Sequence, residues 1–413
     1  MCKKLFYSII LVCFIMLSLC ACTDKKIENT TSISSSATHE DNPTVSANST
    51  LVNKVNFDIC VRRVELPQKA DGNLFLCISE DGKISYCNKN GIVVIQDCVL
   101  YNFVENGYIV QSIANGVAVS NVAGENVTVE KQENEMIGDI IEKDGKSFLE
   151  IFALNTQGAE FYQKIGCYYL VDYMGSRFLT DQSGQNVLEC EYENYEFLAD
   201  DTVFGWTYGS DHSKDCKAFI DMKTQTTYSV DSRYVIWPTW NTWYGSPLYS
   251  FEEGVVPFCD APDGKETLWG YVNLKGEVVI SPTFYYVEAF YEGTAVALYQ
   301  NGKNTEVGYI GTDGSPLFEK HFAVANNFSE GLALASVDGE KYGYIDKTGE
   351  FVIEPMYDLG ALSIVLEDDG ADAYSYFHNG YAMVANAEEG WAAYIDKTGK
   401  EVFRFSVPVS TEE

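Results

Sequence analysis

Histidine is scarce in this chain of 413 residues: His39, His212, His321 and His378 are the only four, and they are scattered. The strings H-E-x-x-H and G-x-S-x-G and the glycine-rich phosphate loop are missing as well. Nothing in the sequence points to catalysis, a resident metal or a cofactor, so a non-enzyme with no cofactor is expected, the alternative being an enzyme whose site is dispersed along the chain. Basic residues are also few, 28 Lys and Arg against 60 Asp and Glu, for a net charge of −32. Such a surface repels phosphate backbones, which argues against nucleic acid as a partner. It suits a soluble exported protein or one that meets a basic partner. Proline is limited to 10 residues and long amphipathic helical patterns are scarce.

What remains is aromatic and glycine-rich. With 28 Tyr, 23 Phe and 33 Gly, the chain has the profile of many short strands joined by glycine turns, an all-β protein. At its start, Lys3 and Lys4 precede an apolar run from Leu5 to Leu19, too short and wrongly flanked for a spanning helix. Leu19-Cys20-Ala21-Cys22 follows, and the whole resembles a bacterial lipoprotein signal peptide. The resemblance implies that residues 1–21 are removed and that Cys22 is lipidated, which would place the protein on the extracytoplasmic face of the cell membrane. An ordinary secretory signal with incidental cysteines is the other reading. Residues 22–53 are rich in Ser, Thr and Asn and read as a disordered tether, because they hold too little apolar surface to offset ordering.

Eight cysteines lie beyond Cys22, with no C-x-x-C pair among them. Disulfides are permitted in an exported chain, and Cys87 and Cys98 are candidates for neighbouring strands; burial as small hydrophobes is the alternative.

The body is repetitive. From Phe251 a leading motif recurs as FEEGVV, FYEGTA, FSEGLA and FHNGYA, the last beginning at Phe377. A trailing motif recurs as WGYVNLKGEVVISPTF, VGYIGTDGSPLF, YGYIDKTGEFVIEPMY and AAYIDKTGKEVF, whose tyrosines, Tyr271, Tyr309, Tyr344 and Tyr394, are 38, 35 and 50 residues apart. Worn copies precede them: YCNKNGIVVI from Tyr86, VSNVAG from Val119, ALNTQG from Ala153 with an extra residue, LTDQSGQNVL from Leu179 and FIDMKT from Phe219. Within one unit the two-residue strand period puts Ala333 and Ala335 on one face, as where neighbouring sheets come close. Asp346-Lys347-Thr348-Gly349 has the chemistry of a hairpin turn, and Pro355 is expected to end the returning strand.

These strings resemble the WG repeat family of short bacterial β repeats. The match is specific over 251–403 and weak over roughly 75–225, with only Trp269-Gly270 spelling the name; Ala392-Ala393 keeps neither residue, which puts its strand pairing in question. The resemblance implies an all-β repeat architecture and frequent export, with no common activity and no catalytic residue to transfer. One meander of three short strands cannot bury its own apolar face, so units must stack. The length after the tether suggests about eight units in a propeller-like ring, favoured over an open solenoid because closure removes exposed edges. The division expected is 1–21, 22–53, degenerate repeats over 54–250, clear repeats over 251–403 and a tail over 404–413.

Function is then expected where the repeat is interrupted, in a binding module. Residues 231–249 form a tryptophan-rich insertion, in which Trp237, Trp240, Trp243, Tyr244 and Tyr249, with Trp206 and Tyr208 upstream, would make an aromatic platform for a partner protein of the envelope or for a glycan. The alternative is that they fill a core between units. The acidic run Glu367, Asp368, Asp369 and Asp372 lacks the spacing of a calcium loop and reads as a solvated insertion.

Overall fold

The computed structural model describes residues 45–46, 55–70, 72–78, 83–98, 103–105, 107–189, 192–199, 201–207, 216–231, 233–236, 253–260, 268–301, 304–358, 375–386 and 388–407. They form nine small antiparallel sheets of three to five strands, against the roughly eight three-stranded units expected from length. The first five sheets begin at Phe75–Ile78, Phe103–Glu105, Glu135–Lys143, Ala159–Ile165 and Asn194–Ala199. The last four begin at Tyr234–Ile236, Tyr286–Val287, Val324–Ala325 and Tyr381–Asn386. The sixth sheet takes Tyr234–Ile236 together with Val255–Asp260, Leu268–Asn273 and Val278–Phe284, so it straddles residue 251, and residues 231–249 are not all insertion but include the sheet's first strand. The final strand, Glu401–Ser406, runs past residue 403.

Each neighbouring pair of sheets shares an apolar core, from the second and third around Tyr108 and Leu149 to the seventh and eighth around Tyr309 and Ala333. One further core joins the eighth and ninth sheets to the first, through Tyr344, Ala393, Phe75 and Tyr86. The first and last sheets are thus packed on one another.

The repeat strings make these joints. Tyr271, Tyr309 and Tyr344 donate their hydroxyl protons to the carbonyls of Glu288, Asn326 and Ser375 in the following unit, at 2.6, 2.6 and 2.8 Å. Their rings meet the following unit's leading phenylalanine, Phe290, Phe328 or Phe377, with centroids 4.6, 4.9 and 4.8 Å apart. Burial pushes all three phenols up, so they stay protonated donors. The alanine face lies against that pair: Ala333 and Ala335 are fully buried in the core of Tyr309 and Phe328.

The E-G of the leading motif is a two-residue hairpin turn rather than the start of a strand. Glu330 and Gly331 have φ of 52° and 85°, and Ser329 and Leu332 exchange both backbone hydrogen bonds across them. The glutamate then reaches the same turn of the next unit. Glu253, Glu292 and Glu330 accept from the backbone N–H of Gly293, Gly331 and Gly380 at 2.8, 3.1 and 3.0 Å. Lys347 and Lys397, from the D-K-T-G turns, close on Glu292 and Glu330 at 3.3 and 2.9 Å.

The trailing turn unifies the worn copies with the clear ones. Asp346 Oδ1 accepts from the N–H of Thr348 and Glu350, and Gly349 takes φ of 82°. Asn88, Asn121 and Asp181 do the same for the residues two and four positions on. At Asp221 the glycine position is Thr224, the carboxylate accepts from the N–H of Lys223 and Thr224, and the positive φ falls one position later, at 54° on Gln225. The copy at 153–158 departs, because the third sheet has no returning strand of its own. There Asn155 and Thr156 bond instead to Asp58, and the strand Ile59–Glu65, from ahead of the first sheet, fills the place beside Lys146–Leu154.

Three other expectations change. The strand Phe351–Tyr357 runs through Pro355, since the ladder bulges opposite Gly343, where an added Cβ would stand 2.3 Å from the Ile353 carbonyl oxygen. Ala393 sits in a ladder that is regular at its position, opposite Arg404 in a strand without proline, so the pairing in question is made. Cys87 and Cys98 do lie on neighbouring strands, but at opposite ends of the pair, and the disulfide among the described residues joins Cys77 to Cys87.

Candidate functional site

Cys22, the platform residues Trp237, Trp240, Trp243, Tyr244 and Tyr249, Tyr208, and the acidic insertion all lie outside the described residues. Trp206 is described: it is half-buried, stacks on Phe204 at 5.3 Å and packs against the core of the fifth and sixth sheets. Asp231 and Arg233, at the edge of the insertion, pair with each other at 2.9 Å, and the arginine holds the carboxyl below the usual range.

Among the described residues, the feature with the chemistry of a binding site is at the seam of the fourth and fifth sheets. An open groove of about 540 Å³ is lined by Tyr162, Gly175, Ser176, Arg177, Tyr192, Glu193 and Asn194. The local structure explains each group. The ladder between Ala159–Ile165 and Tyr168–Tyr173 slips between Phe161 and Gln163, so Tyr162 is the bulged residue and its ring is turned out, 56% exposed. The Arg177 guanidinium stacks on that ring, 4.1 Å from its centroid, and donates a hydrogen bond to the Glu193 carbonyl. The groove's far wall is fixed from the fifth sheet. Tyr192 N–H donates to the Tyr195 hydroxyl oxygen at 2.6 Å, and Glu193 N–H to Thr207 Oγ1 at 2.9 Å.

Beside the groove, the hairpin tip between Tyr173 and Ser176 carries Met174 at φ 51°, 81% exposed. A two-residue turn of this kind favours Asn, Asp or Gly at that position, and methionine there costs about 1 kcal/mol without gaining any burial. Sequence reasoning missed this site. The readable signal was an unburied methionine where a turn asks for a polar residue; the bulge that turns Tyr162 outward leaves none.

No three His, Cys, Asp or Glu side chains gather as a metal site needs among the described residues. The groove offers an aromatic face, a fixed cation, and hydroxyl, amide and carboxylate groups, a set suited to holding a ligand.

No curated protein matches the chain. Solved structures that align with it include a eukaryotic initiation factor, at 7% identity over 81% of this chain and 96% of that one, with a TM-score of 0.44. Dipeptidyl peptidase 4 of Porphyromonas gingivalis aligns at 9% over 77% and 62%, with a TM-score of 0.35. The β-propeller domain of the Trilobed protease of Pyrococcus furiosus aligns at 9% over 80% and 98%, with a TM-score of 0.30. Such remote likenesses carry no functional argument. Residues 269–303, 308–340 and 342–359 match the WG containing repeat, so over this stretch the chain is built of that repeat.

Proposed function

We propose that the protein is a lipid-anchored, extracytoplasmic, non-catalytic binding module, whose repeats build a ring and whose seam between the fourth and fifth sheets docks a partner protein of the cell envelope. The lipoprotein-like start of the chain, with Cys22 as its anchor, supports the location. The observation that carries the binding reading is the exposed trio Tyr162, Met174 and Arg177. Met174 is held in a strained turn with no packing reason, and an outward tyrosine is pre-ordered by a guanidinium. Tyrosine, methionine and arginine are enriched at protein interfaces, and tyrosine and arginine at their energetic centres.

A glycan ligand is the second reading, favoured by the hydroxyl and amide groups of Ser176 and Asn194 beside an aromatic ring. Both are tested with purified wild type and the double variant Tyr162→Ala and Arg177→Ala, each immobilised and offered envelope protein and wall glycan separately. Capture of one defined protein by wild type, lost in the variant at unchanged Tm, supports docking of a partner protein. Capture of glycan alone replaces it with the second reading. Equal behaviour of wild type and variant removes the groove from both.

A further inference from the structure

The segment ahead of the first sheet is laid across the edges of four others. Val45–Ser46 pairs with Thr226–Ser229 of the fifth sheet, and Asn56 and Phe57 bond to Gln185 and Gly184 of the fourth. Ile59–Glu65 completes the third, and the carbonyls of Pro67 and Gln68 accept from Tyr108 and Asn121 of the second. The strand in the third sheet is held differently from its counterparts. Most of its residues are exposed, so it buries little apolar surface of its own, and only Ile59 and Val64 pack against cores. Its grip is backbone pairing and charge. Arg62 meets Glu135 at 2.8 Å and Arg63 meets Glu150 at 2.7 Å, each arginine side chain about two-fifths exposed and each carboxylate side chain at most a tenth. Lys146 and Glu65 add a third pair at 2.5 Å. In a chain of net charge −32, this is a short basic strand seated on an acidic edge.

We propose that this strand is exchangeable between copies: Ile59–Glu65 leaves its own third sheet and is received on the same edge of a second copy, Arg62 and Arg63 meeting that copy's Glu135 and Glu150. The edge left open is a row of unpaired backbone groups beside two carboxylates, and the segment that matches it in register and charge is this same strand. The flanking Phe57 and Leu66, buried in the cores on either side of the third sheet, move with the strand, and each burial, hydrogen bond and ion pair given up within one chain is remade between two, so the equilibrium costs little beyond association. Salt favours it by screening the repulsion between two acidic chains, and loosening the partly exposed pairs, which are remade afterwards, only speeds it.

The register supplies the test. Cys60 stands directly opposite Ala153, so the single substitution Ala153→Cys permits a cross-strand disulfide within one chain and reports that the strap is seated. Mixing wild-type chain with chain carrying Cys60→Ser and Ala153→Cys leaves one partner cysteine on each molecule. A bridge from Cys60 of the first to the cysteine introduced at position 153 of the second then forms only by exchange. The expected result is a covalent heterodimer, mapped to those two positions by mass spectrometry. Its fraction should rise about tenfold with tenfold protein while exchange is rare, and should rise again with salt. Absence of that bridge at every concentration and salt level, while the Ala153→Cys chain closes its own, overturns the proposal. Hydrogen exchange of the unmodified chain gives a second reading: residues 59–65 should exchange faster in salt than the strands of the seventh to ninth sheets, and exchange in step with them would contradict it.

Discussion

The ring of Tyr394, in the ninth sheet, lies 4.8 Å from the ring of Phe75, in the first. At three other joints the tyrosine meets a phenylalanine that precedes an E-G or N-G turn, but the first sheet has no such motif. Phe75 stands instead within its strand, at the place that Ala333 takes in the eighth sheet, and a large residue there fills what the missing leading phenylalanine leaves. It also contacts Tyr381 and Phe403, at 5.2 and 5.4 Å. Phe75→Ala should therefore cost about 3 to 5 kcal/mol, read as a loss in urea midpoint. A change under about 1 kcal/mol would mean that the first and last sheets do not pack in solution.

Glutamate is a poor choice for the first position of an E-G turn, yet Glu292 and Glu330 occupy it at φ 52°. They are kept there because each binds the next turn. In the ninth sheet, with no such turn to follow, the residue is Asn379, which the conformation prefers. Glu330→Ala should cost about 1 to 2 kcal/mol, and Glu330→Asn less, since asparagine tolerates the turn while losing the tether. Asn379→Glu should destabilise by about 0.5 to 1 kcal/mol. Equilibrium denaturation of the three variants gives the order directly.

Carboxylates in these turns tie stability to acid. The Thr348 hydroxyl, helped by backbone N–H groups and opposed by slight burial, holds Asp346 below the usual carboxylate range, and Thr398 does the same for Asp396. At Glu330, burial raises the value but is outweighed by Lys397 and the Gly380 N–H, and the net shift is downward. With folded values depressed, this stabilisation is present above the ordinary carboxylate range near pH 4 and is lost as pH falls through the folded values. Tm followed from pH 7 downward should hold to about pH 4 and then drop; an earlier drop would point to other groups.

The glycine of W-G is a packing requirement rather than a recognition element. Gly270 and Gly343 each face a carbonyl oxygen that an added Cβ would meet at 2.3 Å, opposite Pro282 and Pro355. Gly343→Ala should therefore destabilise by about 2 kcal/mol or more. Ala393→Gly, in a strand pair with no proline and no bulge at that point, should cost no more than about 1 kcal/mol in thermal melts.

Much of this was legible because the units share strings. The D-K-T-G turn could be read even in Tyr86 to Ile95, since a polar residue followed three positions on by glycine has one common conformation. The third sheet could not, because its closing strand comes from more than 80 residues upstream and no local pattern announces that. The role of the E-G glutamate was equally hidden: it acts on a glycine 39 residues on, at Gly331 for Glu292, a relation visible only once the sheets are side by side. The groove was hidden behind the more conspicuous tryptophans, and its exposed tyrosine depends on a bulge that leaves no mark in composition.

We propose that the residues holding the array together are distinct from those offered to a partner, and one paired measurement tests that division. Tm and capture of the envelope partner are measured for Glu330→Ala and for the double variant Tyr162→Ala and Arg177→Ala. Glu330→Ala should lower Tm by a few degrees, about what 1 to 2 kcal/mol produces, and still capture the partner below its transition. The groove variant should keep its Tm and lose capture by about tenfold or more, as truncation of an interface centre does. A groove variant that binds as wild type does, or a Glu330→Ala chain that melts normally and fails to bind, would contradict the division.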